Sequence, residues 1–102
     1  MSVSNEVGTK HDGGKLLWSL VPWEPMASVV RVLMFGAKKY APDNWMKIER
    51  PRERYVDAML RHAVARAGGE VVDPESGEPH AAHVVCCALF LIWHDARAIV
   101  SA

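Results

Sequence analysis

Three prolines, each opening a stretch of helical apolar periodicity, constrain this chain more than any other feature. Pro25, Pro51 and Pro79 stand where helices can begin. The first helical position has no use for an N–H, so proline fits there. After Pro25, apolar residues recur at helical spacing: Met26, Val29, Val30, Leu33, Ala37 and Tyr40. Phe35 falls roughly opposite that stripe, with Arg31 and Lys38 beside it. The second helix runs from Pro51 to about Ala67, with Val56, Met59, Leu60, Ala63, Val64 and Ala67 as its stripe. Gly68 and Gly69 stop it. The third runs from about Pro79 to Ile99 and is apolar nearly all round from Ala81 to Trp93, which makes it the central or interface helix. No window sustains the period-two alternation of a sheet. The expected class is all-α: a small bundle of about three helices.

The chain has 102 residues, enough for one domain. Residues 1–14 are polar and carry Gly8, Gly13 and Gly14, and read as a flexible arm before a single domain over 15–102. Lys15 to Trp23 is apolar but interrupted by Pro22, and is expected to lie extended across the body. Half of all residues are hydrophobic, generous for this length, so the surplus apolar surface is expected in a homo-oligomeric interface. Twelve basic residues cancel twelve acidic ones, which argues against a duplex nucleic-acid binder. Cys86 and Cys87 are adjacent and are the only cysteines, so no disulfide framework is expected. Met1 to Lys10 lacks the apolar core of a signal peptide. The longest apolar run, Val84 to Trp93, is half of what a membrane span needs, roughly 20 residues. A cytoplasmic protein with no membrane partner is the expectation.

The segment between the second and third helices carries most of the chemistry. Glu70, Asp73, Glu75 and Glu78 precede His80 and His83. If helical, the Glu70–Asp73 spacing puts both carboxylates on one face. Oxygen ligands suit Mg²⁺ or Mn²⁺, with a phosphate completing the shell. The plain alternative is a solvated loop whose acids favour the following helix N-terminus. His80 and His83 with Cys86 or Cys87 have zinc-like spacing. The cysteines sit in an apolar run, however, where buried thiols are the commoner outcome.

A second cluster is Lys38, Lys39, Tyr40, Asn44 and Trp45. Lysines at a helix end can meet phosphates, tryptophan can stack on a base, and asparagine can pair with a base edge. The same lysines favour a helix C-terminus with no ligand, and a lone tryptophan is more often core. Arg61 can bind phosphate bidentately beside His62, or pair with Asp57 on its own helix. His94-Asp95 has the form of a metal-hydrolase dyad but lacks that motif's other members. Gly-rich phosphate loops and nucleophile elbows are absent.

Four segments in order, DGGKLLWSLVPWEPM, FGAKKYAPDNW, RYVDAMLRH and GGEVVDPESGEPHAAH, resemble the dATP/dGTP diphosphohydrolase family of N-terminal domain type. Its MazZ-like members look related to the MazG-like all-α nucleotide pyrophosphohydrolases. The likeness covers Asp12 to Trp93. It implies an oligomeric all-α enzyme that hydrolyses dGTP or dATP to monophosphate and pyrophosphate with a divalent metal. The family's GAKKY-to-NW stretch corresponds to Gly36 through Trp45, and its Arg-His pair to Arg61 and His62. Its acidic loop and histidines correspond to Glu70, Asp73, Glu75, Ser76, His80 and His83.

On this reading Glu70, Asp73 and Glu75 hold Mg²⁺ or Mn²⁺, while Glu70, Asp73, His80 and His83 carry the catalysis. Lys38, Lys39, Tyr40, Asn44, Trp45, Arg61 and His62 bind the purine nucleotide. In a phage-encoded protein this would take place in the host cytoplasm. One departure stands out. MazG-like enzymes present a Glu-x-x-Glu before the Glu-x-x-Asp, and here only the four-spaced Glu53 and Asp57 occupy that region. A non-catalytic protein that sequesters nucleotides is the rival reading, and a purely structural oligomer the third.

Overall fold

The computed structural model describes residues 6–101. Among them lie three α-helices and no strand: α1 (Trp23–Lys39), α2 (Pro51–Ala67) and α3 (His80–Ser101). The all-α class is as expected. Short 3₁₀ turns at Trp18–Leu20 and Asn44–Lys47 precede α1 and α2.

Each helix boundary has a local cause. α1 begins at Trp23, which puts Pro25 in the first turn, where backbone N–H groups lack intrahelical partners. It ends at Lys39, before the Ala41-Pro42 step, where the residue ahead of a proline is pushed out of helical geometry. α2 starts at Pro51, after Arg50 turns the chain in the left-handed region at φ 51°. At its other end the Glu70 N–H donates to the Ala65 carbonyl and the Gly69 N–H to the Arg66 carbonyl. That is a Schellman cap, with Gly69 at φ 101°. Gly69→Ala should therefore cost about 1–2 kcal/mol in strain, visible as a lowered thermal midpoint. An unchanged midpoint would show that the cap tolerates a side chain.

α3 is the spine. Both other helices pack on it, α2 most extensively. His62 meets His83, Tyr55 meets Phe90, and Arg52 meets Asp95, the register of an antiparallel hairpin. α1 lies on another side of α3. The innermost contact joins Val29 and Val32 to Ala82 and Cys86, with Met26 and Phe90 packed around them. Cys86 donates to the Val29 carbonyl, and burial pushes its thiol up to about 12. Both cysteines are buried core groups. They do not join His80 and His83 in a ligand group.

Two expectations change. The buried line of α1 is Met26, Val29 and Val32, while Val30 and Leu33 face outward. The stripe read from spacing contained both faces, and contact with α3 selects one of them. The segment before α1 does not lie extended over the body. Leu17 and Trp18 accept from Leu20 and Val21 and so coil the chain, and Leu16, Leu17, Trp18 and Leu20 are all exposed. Val30, Met34, Leu89 and Ile92 are exposed as well, the kind of apolar surface that the sequence reading assigns to a subunit interface. Residues His80–Ile99 also have the length and mean hydropathy (1.4) to cross a membrane. In this fold three polar residues of that stretch meet other elements: His80 faces Glu70, His94 meets the Trp45 carbonyl, and Asp95 meets Arg52.

Candidate functional site

The α2–α3 connection is a structured loop. Gly68 and Gly69 end α2, so Glu70 and Asp73 never share a helix face. Their Glu-x-x-Asp spacing has no helical meaning here. The loop folds back on itself instead. Val72 and Pro79 form an isolated bridge, Asp73 N–H donates to the Glu78 carbonyl, and His80 N–H to the Val71 carbonyl. Gly77, at φ 74°, turns the chain and donates to the Asp73 carbonyl.

This fold-back aims Asp73 at the histidines. Its carboxylate accepts from the Ser76 hydroxyl at 3.0 Å and from the Glu75 N–H at 3.3 Å, and lies 3.2 Å from His83 Nε2. Burial pushes the Asp73 carboxyl up, but these hydrogen bonds and the His83 ring outweigh it and hold the group below its ordinary value. His83 Nε2 is also 2.7 Å from Ser76 Oγ. Across the hairpin, the His62 ring stacks on His83 at 4.2 Å, nearly parallel. The potential ligand atoms of His62, Asp73 and His83 all lie within 4.8 Å of one another.

Behind this group runs a second line of contacts. His80 is 4% exposed. Its Nε2 is 2.6 Å from a Glu70 carboxylate oxygen and its Nδ1 is 2.8 Å from His62 Nδ1. The carboxylate can only accept, so a neutral His80 carries its proton on Nε2. His62 Nδ1–H then donates to His80 Nδ1, and His62 Nε2 keeps its lone pair.

Burial lowers the pKa of both His62 and His83, with the neighbouring rings adding to the effect, although Asp73 partly offsets it at each. These rings therefore stay neutral at neutral pH, the form that binds a metal. The linkage has a definite sign. An unfolded imidazole takes its proton near 6.5, whereas these folded rings resist it to lower pH. Their contribution to stability is fully present above that value and is lost as pH falls through the folded values. In metal-free buffer the thermal midpoint should be flat between about pH 8 and 7 and fall below about pH 6.5. A midpoint that stays level down to about pH 5 would contradict buried neutral rings.

Of the other residues singled out in the sequence, some border this cluster and others lie farther along the helices. Glu75 points to α1, where its carboxylate is 2.5 Å from Lys39 Nζ. Arg31, about two turns back along α1, grips Glu78 at 2.6 and 3.1 Å. α1 thus holds the loop at two points, an arrangement that sequence spacing could not reveal. Lys38 is exposed at the end of α1. Lys39 also sits over the Phe35 and Tyr40 rings, and Phe35 touches His83 edge-on. Next to Lys39, residues Gly36, Ala37, Tyr40, Asn44, Trp45 and Phe90 line part of a largely apolar groove of about 530 Å³. Trp45 stacks on Phe90 at 4.6 Å, and its carbonyl accepts from His94. Arg61 borders a shallow depression with Asp57, Leu60, Val64 and Ala65.

Glu70, Asp73 and Glu75, the carboxylates expected to hold an ion, each have a separate partner: His80 for Glu70, His83 for Asp73 and Lys39 for Glu75. His62 and His83 instead meet at Asp73. The signal for this was present. His62 stands near the end of α2 and His83 near the start of α3, so an antiparallel hairpin brings them level.

A three-helix domain with a histidine–carboxylate cluster at the mouth of its main hairpin is, as a class, a small all-α domain with a candidate metal centre. Residues 5–100 match the family described as dATP/dGTP diphosphohydrolase, N-terminal, and the chain belongs to it. It is similar to a protein from Salmonella phage PMBT28 named dATP/dGTP diphosphohydrolase, at 36% identity over 86 residues. The aligned part is 84% of this chain and 29% of that protein, so the chain spans less than a third of its relative's length. No solved structure matches the chain.

Proposed function

We propose that this domain hydrolyses purine deoxynucleoside triphosphates, dGTP or dATP, to the monophosphate and pyrophosphate, and needs a divalent cation such as Mg²⁺ or Mn²⁺ to do so. The observation that carries the reading is the convergence of His62, Asp73 and His83 beside a loop that Lys39 ties to α1. Membership of a family named for this reaction supports it. A cation at the cluster would supply charge neutralisation and an acidified water for attack on the α-phosphorus. In this reaction water would add to that phosphorus and give up its proton to solvent, the bond from the α-phosphorus to the α–β bridging oxygen would break, and pyrophosphate would leave with the electron pair of that bond.

The chain's own residues account for placement. Lys39 sits between the cluster's loop and the groove, where a triphosphate running from one to the other would pass its ammonium. Tyr40 and Asn44 line the groove, which would take the flat base. Both ring nitrogens of His80 are engaged by protein groups, so it positions His62 and does not touch substrate.

The test is a nucleotide panel with pyrophosphate detection, with and without Mn²⁺. Release of pyrophosphate from dGTP or dATP, absent in chelator, is the expected result. Tight binding with intact nucleotide recovered would replace this reading with sequestration. The chain's short span relative to its phage relative gives that rival its footing. Lys39→Ala should raise KM several-fold and leave kcat within about threefold, the signature of uniform phosphate binding. A loss confined to kcat would assign Lys39 to the transition state.

A further inference from the structure

The donor types in the cluster specify more than a divalent cation. Two imidazoles and one carboxylate are a mixed nitrogen–oxygen set. Imidazole suits first-row transition metals, whereas Mg²⁺ and Ca²⁺ favour all-oxygen shells. The three loop carboxylates that would have made an oxygen-rich shell are dispersed among separate partners.

Ligands about 2.1 Å from one ion lie about 3–4.2 Å apart. The three donors already lie within 4.8 Å of one another, so rotation of the side chains about their own bonds brings them to that spacing. Three protein ligands leave coordination positions open for water and phosphate. The group is also supported from behind. Metal-bound histidines commonly donate their second ring N–H to a carboxylate, directly or through another group, which fixes ring and tautomer. The line from Glu70 through buried His80 to His62 Nδ1 has that form, and it leaves His62 Nε2 as the free donor.

We infer that His62, Asp73 and His83 form one site for a divalent transition-metal ion, and that Glu70 acts through His80 as the positioning group for His62. The inference deepens the proposed function because it concerns the same cluster. Ion binding can nevertheless be measured with no nucleotide present.

The experiment is titration of metal-stripped protein with Co²⁺, followed by visible absorption and calorimetry. One ion per chain should bind with a Kd at or below about 10 µM, that is about 7 kcal/mol. Mg²⁺ should displace it only at more than about 100-fold higher concentration. His62→Ala and His83→Ala should each weaken binding by about 100-fold or more, and Glu70→Gln by about 10-fold or more. Glu75→Gln should leave affinity unchanged. Should an alanine variant fail to fold, histidine ring resonances of the wild type decide the matter. Zn²⁺ should shift those of His62 and His83 and leave His11 in place.

Absence of Co²⁺ binding below millimolar concentration would overturn the inference. So would affinity that follows Glu75 and ignores the two histidines. Pyrophosphate release with Mg²⁺ in a protein that binds no Co²⁺ would sink this site and spare the proposed reaction. Tight Co²⁺ binding with no nucleotide turnover would do the reverse.

Discussion

Asp73→Asn is expected to lower kcat/KM for dGTP or dATP hydrolysis at least about 10³-fold, roughly 4 kcal/mol of transition-state stabilisation. The side chain is 13% exposed and is shared among Ser76, the Glu75 N–H and His83. Asparagine keeps the shape and one acceptor but removes the only charge among the three converging donors. An ion bound to two imidazoles and a neutral amide holds less tightly and screens developing phosphate charge differently. Circular dichroism should confirm that the variant remains helical. A folded variant with a rate within tenfold of wild type would remove Asp73 from the reaction.

Trp45→Ala is expected to destabilise the domain by about 3 kcal/mol, the low end of the range for deleting a packed tryptophan because this ring is only half-buried. For a domain of this size, about 3 kcal/mol corresponds to a fall of at least 12 °C in thermal midpoint. The ring is stacked on Phe90 and edge-on to Trp93 and His94. It therefore ties the loop after α1 to the spine helix. Trp45→Phe should recover much of the loss. The family likeness makes this tryptophan a platform for a base, although a lone tryptophan is more often core. If the alanine variant melts near the wild-type midpoint but loses affinity for purine nucleotides, the platform role prevails over the packing role.

Local punctuation in the sequence located the helices well. α2 runs from Pro51 to Ala67 as expected because proline and a glycine pair each act on their own immediate backbone. The buried thiols were legible for a similar reason: an apolar run around Cys86 needs no knowledge of the partner. The choice between Val30 and Val32 was not legible, since both satisfy helical spacing and only the position of α3 decides.

The candidate site was legible in its members and illegible in its wiring. Every residue in it had been singled out, including Ser76 through the family likeness. The spacing rule failed at Glu70 and Asp73 because it presumes a helix where Gly69 enforces a cap. Arg31–Glu78 and Lys39–Glu75 join residues distant in sequence. Such exposed pairs carry too little energy to be anticipated from charge alone.

The cluster and its backing all fall within the stretch from His62 to His83, spanning one helix end, one turn and one helix start. Contacts this close in sequence form quickly, because little chain entropy is lost in closing them. The donor atoms of the cluster thus come from a single hairpin, while Lys39 and Arg31 of α1 set how firmly its loop is held against them.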